Sequence, residues 1–479
     1  MTTADLSIFA LFVAYSPDIL ANNRAETYPM TSSTSLQQQI ARYFDFHRLR
    51  TNLRTEVLAG FTTFITMAYI LVVNPAILSN AIFLNESGDL FGELAIATAL
   101  AAAIATAIMG FYAKLPFGLA PGMGLNAYFT FAVVLGLGVD WRAALGAVFI
   151  EGLIFIALTV TNVRSKIIAA IPECIKHATT AGIGLFIAYI ALQGSGLIAS
   201  NDATLTGLGD LRTGQSAVVL LGLAVTAALI ARRVAGALLW GILATAIFAW
   251  GFGLSALPEG IIAIPAFPTN LFGQAFSGLG MLSSVGILEA ASIVFVLLFV
   301  DLFDTVGTLA GLGAKSGYID EQGQFPGSEK AMMADAVGTT AGAVMGTSTV
   351  TTYIESAAGI SEGGRSGLTA VVVALLFVVS LLFTPLLAGI PGFASAPALI
   401  IVGSLMMSGV RRINWDDPAE AIAAFLTIII MPLSFSIAEG IAMGLIAYPL
   451  IKLFQGKAGE VSIGLWILAI VFIARYALA

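Results

Sequence analysis

Apolar residues along this chain fall into blocks of about twenty, parted by short polar stretches, the spacing that helices crossing a bilayer core of ~30 Å require. The blocks lie at residues 57–79, 94–112, 141–161, 171–193, 215–231 and 234–254, and again at 284–312, 330–345, 367–388, 395–410, 418–434 and 436–454. Each half also holds one broken block. Within the segment 115–136, the run Leu115–Thr130 (LPFGLAPGMGLNAYFT) has two prolines and three glycines, which forbid a continuous helix. Within the segment 346–361, the run that begins at Gly346 and ends at Gly364 (GTSTVTTYIESAAGISEGG) turns polar between apolar flanks. Its β-branched threonines predict an extended stretch over residues 347–352 and a short helix from Tyr353, with Glu355 in the first turn, where the helix dipole favours an acid. Irregular backbone at membrane depth must be buried in protein or line a cavity. The competing reading makes both kinked packing helices, since Gly and Pro are common in membrane spans, but their pairing, one in each half, points to a transporter's binding site.

With the broken segments the count is fourteen crossings, seven in each half. An odd number per half gives the halves opposite orientations, so the expected fold is an all-α polytopic membrane protein, a 7+7 inverted repeat with two half-helix/short-strand segments. Ile171-Pro172 and Ile390-Pro391 lie 219 residues apart, and Gly184 and Gly403 repeat that spacing. The domain reading is a cytoplasmic segment 1–49, a first repeat 50–256, a linker 257–283, a second repeat 284–454 and a C-terminal segment 455–479 whose apolar run 461–478 is expected to lie at the interface. Residues 1–29 read as an upstream extension from a misassigned start, because Met30 opens the polar, basic entry to the first span.

Composition narrows the class. The chain is 58% hydrophobic and 10% charged over 479 residues, and its mean hydropathy of +0.96 lies outside the soluble range. A single cysteine, Cys174, excludes a disulfide framework, and two histidines, His47 and His177, leave little for a metal, so no cofactor is expected. With both termini cytoplasmic, Arg142 and Arg212 alone of 21 basic residues fall outside. Nothing suggests nucleic acid; the lipid bilayer is the expected environment.

Intramembrane acids come next. Asp301 and Asp304, in FVDLFDTVGT, share one helix face and have no evident basic partner, so they face a cavity, bind a ligand or relay protons. Glu151 and Asp335 stand singly and read as structural. The tyrosines and tryptophans read as interface anchors. Gly207-Leu208-Gly209-Asp210 matches an intramembrane aspartyl protease motif but sits in a polar loop, and GLGAKS at 311–316 lacks phosphate-loop spacing.

Five ordered stretches, FTTFITMAYILVVNPAIL, LPFGLAPGMGLNAYFTF, FVDLFDTVGTLAGLGAKSG, GTSTVTTYIESAAGISEGGRSGLTA and MPLSFSIAEGIAMG, resemble the nucleobase permeases of the xanthine/uracil permease superfamily, in its adenine/guanine/hypoxanthine branch, over about Arg50 to Lys457. The resemblance implies fourteen spans with a mobile core (spans 1–4 and 8–11) and a gate (5–7 and 12–14) working as an elevator, commonly as a homodimer. Asp304 falls on the eighth-span acid, Tyr353-Ile354-Glu355 on the tenth-span signature, and Asn126 on the third-span asparagine of the purine branch. Thr62-Thr63 stands where uracil and xanthine relatives carry Gln-His, which argues against those substrates. Thr63, Ala120, Thr352 and Ser356, in the same matched stretches, complete the candidate substrate-binding set.

The chemistry agrees. A purine base is flat and edged with N–H donors, which carboxylates accept in pairs, so Glu355 and Asp304 are expected to grip it. Asn126 and half-helix amides would serve ring acceptors, and Phe117 or Phe129 would stack on the face. Amides and dipole are expected to hold Glu355, leaving Asp301, with Asp304, as the site that couples transport to protons. An anion carrier of the same fold, for sulfate or bicarbonate, is the competing reading; it would need the positive helix ends that these two acids occupy.

Overall fold

The computed structural model describes residues 36–161, 171–319, 325 and 327–478. The expected extension at 1–29, and the basic residues Arg164 and Lys166, lie outside the described residues. Two compact units result: Met1–Tyr43, in which a helix Leu36–Tyr43 is described, and Phe44–Ala479, which holds all that follows.

Each apolar block is helical. In chain order the elements are α1 (Leu53–Met67), α2 (Ile70–Leu78), α3 (Phe91–Ile108), β1 (Leu119–Pro121), α4 (Met123–Ala127, continued by π-helical turns to Gly136), α5 (Trp141–Thr161) and α6 (Glu173–Gly194). A hairpin β2 (Ile198–Asn201) and β3 (Leu205–Leu208) follows, then α7 (Gly214–Ala231), α8 (Ala237–Gly251) and α9 (Gln274–Leu282). The second half comprises α10 (Ile287–Ser316), α11 (Ser328–Met345), β4 (Val350–Thr352), α12 (Ser356–Ser361), α13 (Gly367–Ser380), α14 (Ala396–Met406), α15 (Pro418–Ser434), α16 (Ile437–Phe454) and α17 (Ile463–Leu478). Among the described residues nine helical stretches are long and apolar enough to cross a membrane. The protein is a multi-pass membrane protein. It is mostly but not wholly α: the 198–208 loop, read only as polar, pairs as β2 with β3, and each broken block contributes a strand.

Polar residues start the helices where the chain enters them. Asn52 accepts from the Thr55 amide at 3.0 Å to cap α1, Thr213 from Ser216 at 3.2 Å to cap α7, and Ser436 from Glu439 at 3.3 Å to cap α16. A buried acid does the same across helices. Glu56 of α1 accepts from the Arg365 and Ser366 amides at 3.0 and 3.2 Å and from the Thr369 hydroxyl at 2.5 Å, at the start of α13. Small residues set the closest approach: α6 and α14 cross at Gly184 and Gly403, where a Cβ on Gly184 would lie 2.6 Å from the Gly403 carbonyl oxygen and one on Gly403 2.3 Å from that of Gly184.

At the centre the two broken segments meet. β1 and β4 pair antiparallel, with Leu119 opposite Thr352 and Pro121 opposite Val350. Bonds from Gly122 N to Thr349 O (2.9 Å) and from Tyr353 N to Gly118 O (3.0 Å) extend the ladder at both ends. Their outer edges are closed by threonines of the preceding helices. Thr106 of α3 donates to the Leu119 carbonyl at 2.9 Å and accepts from its amide at 2.8 Å; Thr339 of α11 treats Val350 the same way, at 2.8 and 3.3 Å. One hydroxyl therefore satisfies both backbone groups of one residue in each strand, and the Tyr353 hydroxyl donates to the Pro121 carbonyl at 2.5 Å.

Thr339→Val leaves a buried N–H and C=O unpaired and is expected to lower stability by about 1–3 kcal/mol, with Thr339→Ser close to wild type, as read from unfolding in detergent.

Candidate functional site

Two half-helices start where the strands end, α4 at Met123 and α12 at Ser356. The sequence placed Glu355 inside the first turn of the second; the structure has it at the cap position, one residue earlier, with no cap hydrogen bond from its side chain. Its carboxylate instead accepts from the Tyr69 hydroxyl at 2.7 Å. Tyr69 is fully buried at the break between α1 and α2, so the interface-anchor reading is wrong for it, and equally for the buried Tyr128 and Tyr353. Asp304 of α10 lies close enough to Glu355, Tyr69 and Tyr353 to act on all three electrostatically. Both acids are partly exposed, unlike the other carboxylates around them.

Behind this pair lies a second group. Asp301, fully buried, has no hydroxyl, amide or cation on either oxygen; the group with which it can share a hydrogen is the Glu151 carboxyl of α5. Asp335 of α11 adjoins them and accepts from Thr305 (2.8 Å) and Thr352 (3.0 Å). Glu151 and Asp335 are therefore members of one cluster with Asp301, which their isolation in sequence concealed. Among the described residues no three acids, histidines or cysteines are arranged to hold a metal ion.

The run leading into and through β4 wires these helices together. Thr347 accepts from Asn74 of α2 at 2.9 Å, Ser348 donates to Asn126 Oδ1 of α4, Thr349 donates to Glu151 of α5 at 3.1 Å, Thr351 meets Thr305 of α10 at 2.9 Å, and Thr352 reaches Asp335 of α11. Asn126 Nδ2 is left without a partner. Ser356 accepts from the Gly118 amide at 3.0 Å, and Ala120 pairs with Thr351 in the ladder. Thr63 is buried against Gly359, where a Cβ would lie 2.1 Å from its hydroxyl oxygen. Phe117 packs edge-on to Tyr318 and Phe325 at 6.4 and 6.2 Å, and Phe129 is buried in the main core. The aromatic that shares a cavity with Asp304 is Phe303, in a space of about 20 Å³ that Leu125, Ile183 and Met406 help to line. A roomier cavity of about 500 Å³, between Asn80, Phe91 and Phe131 on one side and Ile190, Phe393 and Leu399 on the other, holds none of the predicted site residues.

A polar strand crossing with one acid at a half-helix start and a second on a neighbouring helix is an arrangement for holding a small ligand at membrane depth. The xanthine/uracil permease model, described as a permease family, matches residues 54–443. The chain belongs to that family. This permease is 44% identical to the guanine/hypoxanthine permease PbuG of Bacillus subtilis over 442 residues, covering 91% of this chain and 98% of that one. It is 40% identical to the adenine permease AdeP of Escherichia coli over 445 residues, covering 93% and 97%. Its fold resembles the transmembrane domain of the cyanobacterial bicarbonate transporter BicA, with a TM-score of 0.60 at 16% identity over 82% of this chain and 97% of the other.

The difference in exposure is testable. Cys174 is buried, so a water-soluble methanethiosulfonate reagent is expected to leave the wild type unlabelled, to label cysteines placed at 304 and 355, and to spare those placed at 151, 301 and 335, as read by mass shift.

Proposed function

We propose that this permease imports purine bases by proton symport. The observation that carries the reading is the partly exposed pair Asp304 and Glu355, one on a continuous helix and one at a half-helix start, with Tyr69 orienting the second. Two acceptors close enough to act on each other suit a neutral ring edged with N–H groups. The relatives named for adenine, guanine and hypoxanthine support the same class. The likeness to a bicarbonate transporter extends to the fold, whereas an anion would meet two carboxylates here.

Asn126, with its free amide donor, serves a ring acceptor. Ala120, Thr352, Ser356 and Thr63 support the site through the strand pair and half-helix packing described above. Asp301 takes the coupling proton and shares it with Glu151 beside it; Asp304 touches substrate. Fourteen crossings in two inverted repeats, a core moving against a gate, cytoplasmic termini and a homodimer complete the proposal. The matching threonine clasps at Thr106 and Thr339 and the reciprocal contact of Gly184 with Gly403 support the repeat. The 500 Å³ cavity then lies on the outer side, between core and gate.

Uptake of labelled adenine, guanine, hypoxanthine, uracil and sulfate into a transport-null cell is expected to show purine accumulation; sulfate uptake without purine uptake would sink the reading. Glu355→Gln is expected to weaken binding by about 1–3 kcal/mol. Asp301→Asn and Glu151→Gln are both expected to keep exchange of bound base while abolishing accumulation against a gradient. Should Asp301→Asn lose binding as completely as Glu355→Gln, binding and coupling belong to one site.

A further inference from the structure

Threonines buried in these helices satisfy their hydroxyls by donating to the carbonyl one turn back. Thr98 bonds Leu94 at 2.6 Å, Thr159 bonds Phe155 at 2.8 Å, Thr226 bonds Gly222 at 2.7 Å, Thr245 bonds Gly241 at 2.7 Å and Thr427 bonds Ala423 at 2.8 Å. Thr180 of α6 does so too, to Lys176 at 3.3 Å. Its neighbour Thr179 does not. The Thr179 side chain is buried, at 3% exposure, and its hydroxyl has no partner. Among the described residues the other buried threonine hydroxyls without partners are those of Thr51, Thr63 and Thr130, and none of these lines either cavity; Thr179 lines the 20 Å³ space that holds Asp304 and Phe303.

An unmade buried hydrogen bond is costly, and it is rarely left at random beside a charged group. Thr179 of α6 and Asp304 of α10 line this space together, and in the core and gate division proposed above α6 belongs to the gate and α10 to the core. Lys176, one turn earlier on α6, lies 5.5 Å from the Phe303 ring centroid. A volume of about 20 Å³ admits one water and no purine, so the walls must part for a base to enter. Once they part, a flat ligand with one edge on Asp304 and Glu355 presents its other edge to α6.

We propose that the Thr179 hydroxyl is a specificity-determining substrate contact from the gate side, bonding a ring nitrogen on the edge turned away from the two carboxylates. This rests on the purine reading above. A hydroxyl both donates and accepts, so it registers whether a ring heteroatom is present at its position and tolerates either tautomer.

The test uses the full-length protein with Thr179→Val, which keeps the shape and removes the hydroxyl, and Thr179→Ser, which keeps the hydroxyl, each normalised to surface abundance. KM is measured for the best-transported purine and for its 3-deaza, 7-deaza and 9-deaza analogues, each lacking one ring nitrogen. Thr179→Val is expected to raise KM for the parent base about 3- to 10-fold, with Thr179→Ser within about twofold of wild type. For one deaza analogue, the one missing the contacted nitrogen, Thr179→Val should change nothing. An unchanged KM in Thr179→Val, equal losses in Thr179→Ser, or the same loss for every analogue overturns the proposal while leaving purine transport standing. A wild type that carries no purine overturns both.

Discussion

Backbone polar groups cannot be left unpaired where there is no water to receive them, and this constraint organises the centre of the molecule. A chain that abandons helix at membrane depth, as this one does after Leu115 and after Gly346, must find every N–H and C=O a new partner. Two short strands solve half the problem by pairing with each other. Thr106 and Thr339 add to this from the outside, each offering one hydroxyl as donor and acceptor to a single residue, while Tyr353 and Ser356 take the Pro121 carbonyl and the Gly118 amide. Because the strands are fixed this tightly, the half-helices that leave them start at defined points, and Glu355 is delivered to the same place as Asp304.

The polar run around β4 does more than pair. Its side chains alternate between faces, as strand residues must, so consecutive hydroxyls reach different helices: α2, α4, α5, α10 and α11. The acids around this run fall into two environments. Asp304 and Glu355 are partly open, with a tyrosine hydroxyl steadying one of them. Asp301, Glu151 and Asp335 are sealed behind the strand, where only threonines and each other are within reach. Thr305 joins the two groups, touching both Thr351 and Asp335.

Much of this was legible in the sequence. Helix positions followed from the apolar blocks, because in lipid hydrophobicity and span length are tied to one thickness. Both broken segments were visible from Pro, Gly and Thr, and the resemblance located Asp304, Glu355 and Asn126. What sequence concealed was tertiary. Tyr69 looks like any tyrosine near a span, and only the break between α1 and α2 turns it toward Glu355. Glu151 and Asp335 sit on different helices far from Asp301 in the chain, so no spacing rule joins them. The hairpin at 198–208 lacks the alternation that marks a half-buried strand. Glu355 lies one residue before its expected turn, at the cap, where the Tyr69 hydroxyl is its side-chain partner.

The strand crossing also sets an order of events during biosynthesis. Gly118 and Ser356, which bond across it, are 238 residues apart. At roughly 5–20 residues per second, the first broken segment waits on the order of 10–50 s for its partner to be made. Throughout that interval the Thr106 clasp covers only one side of β1, and its inner edge has no strand to pair with. The first half therefore cannot reach its final state alone, and its broken segment is completed well after the helices of that half have been made.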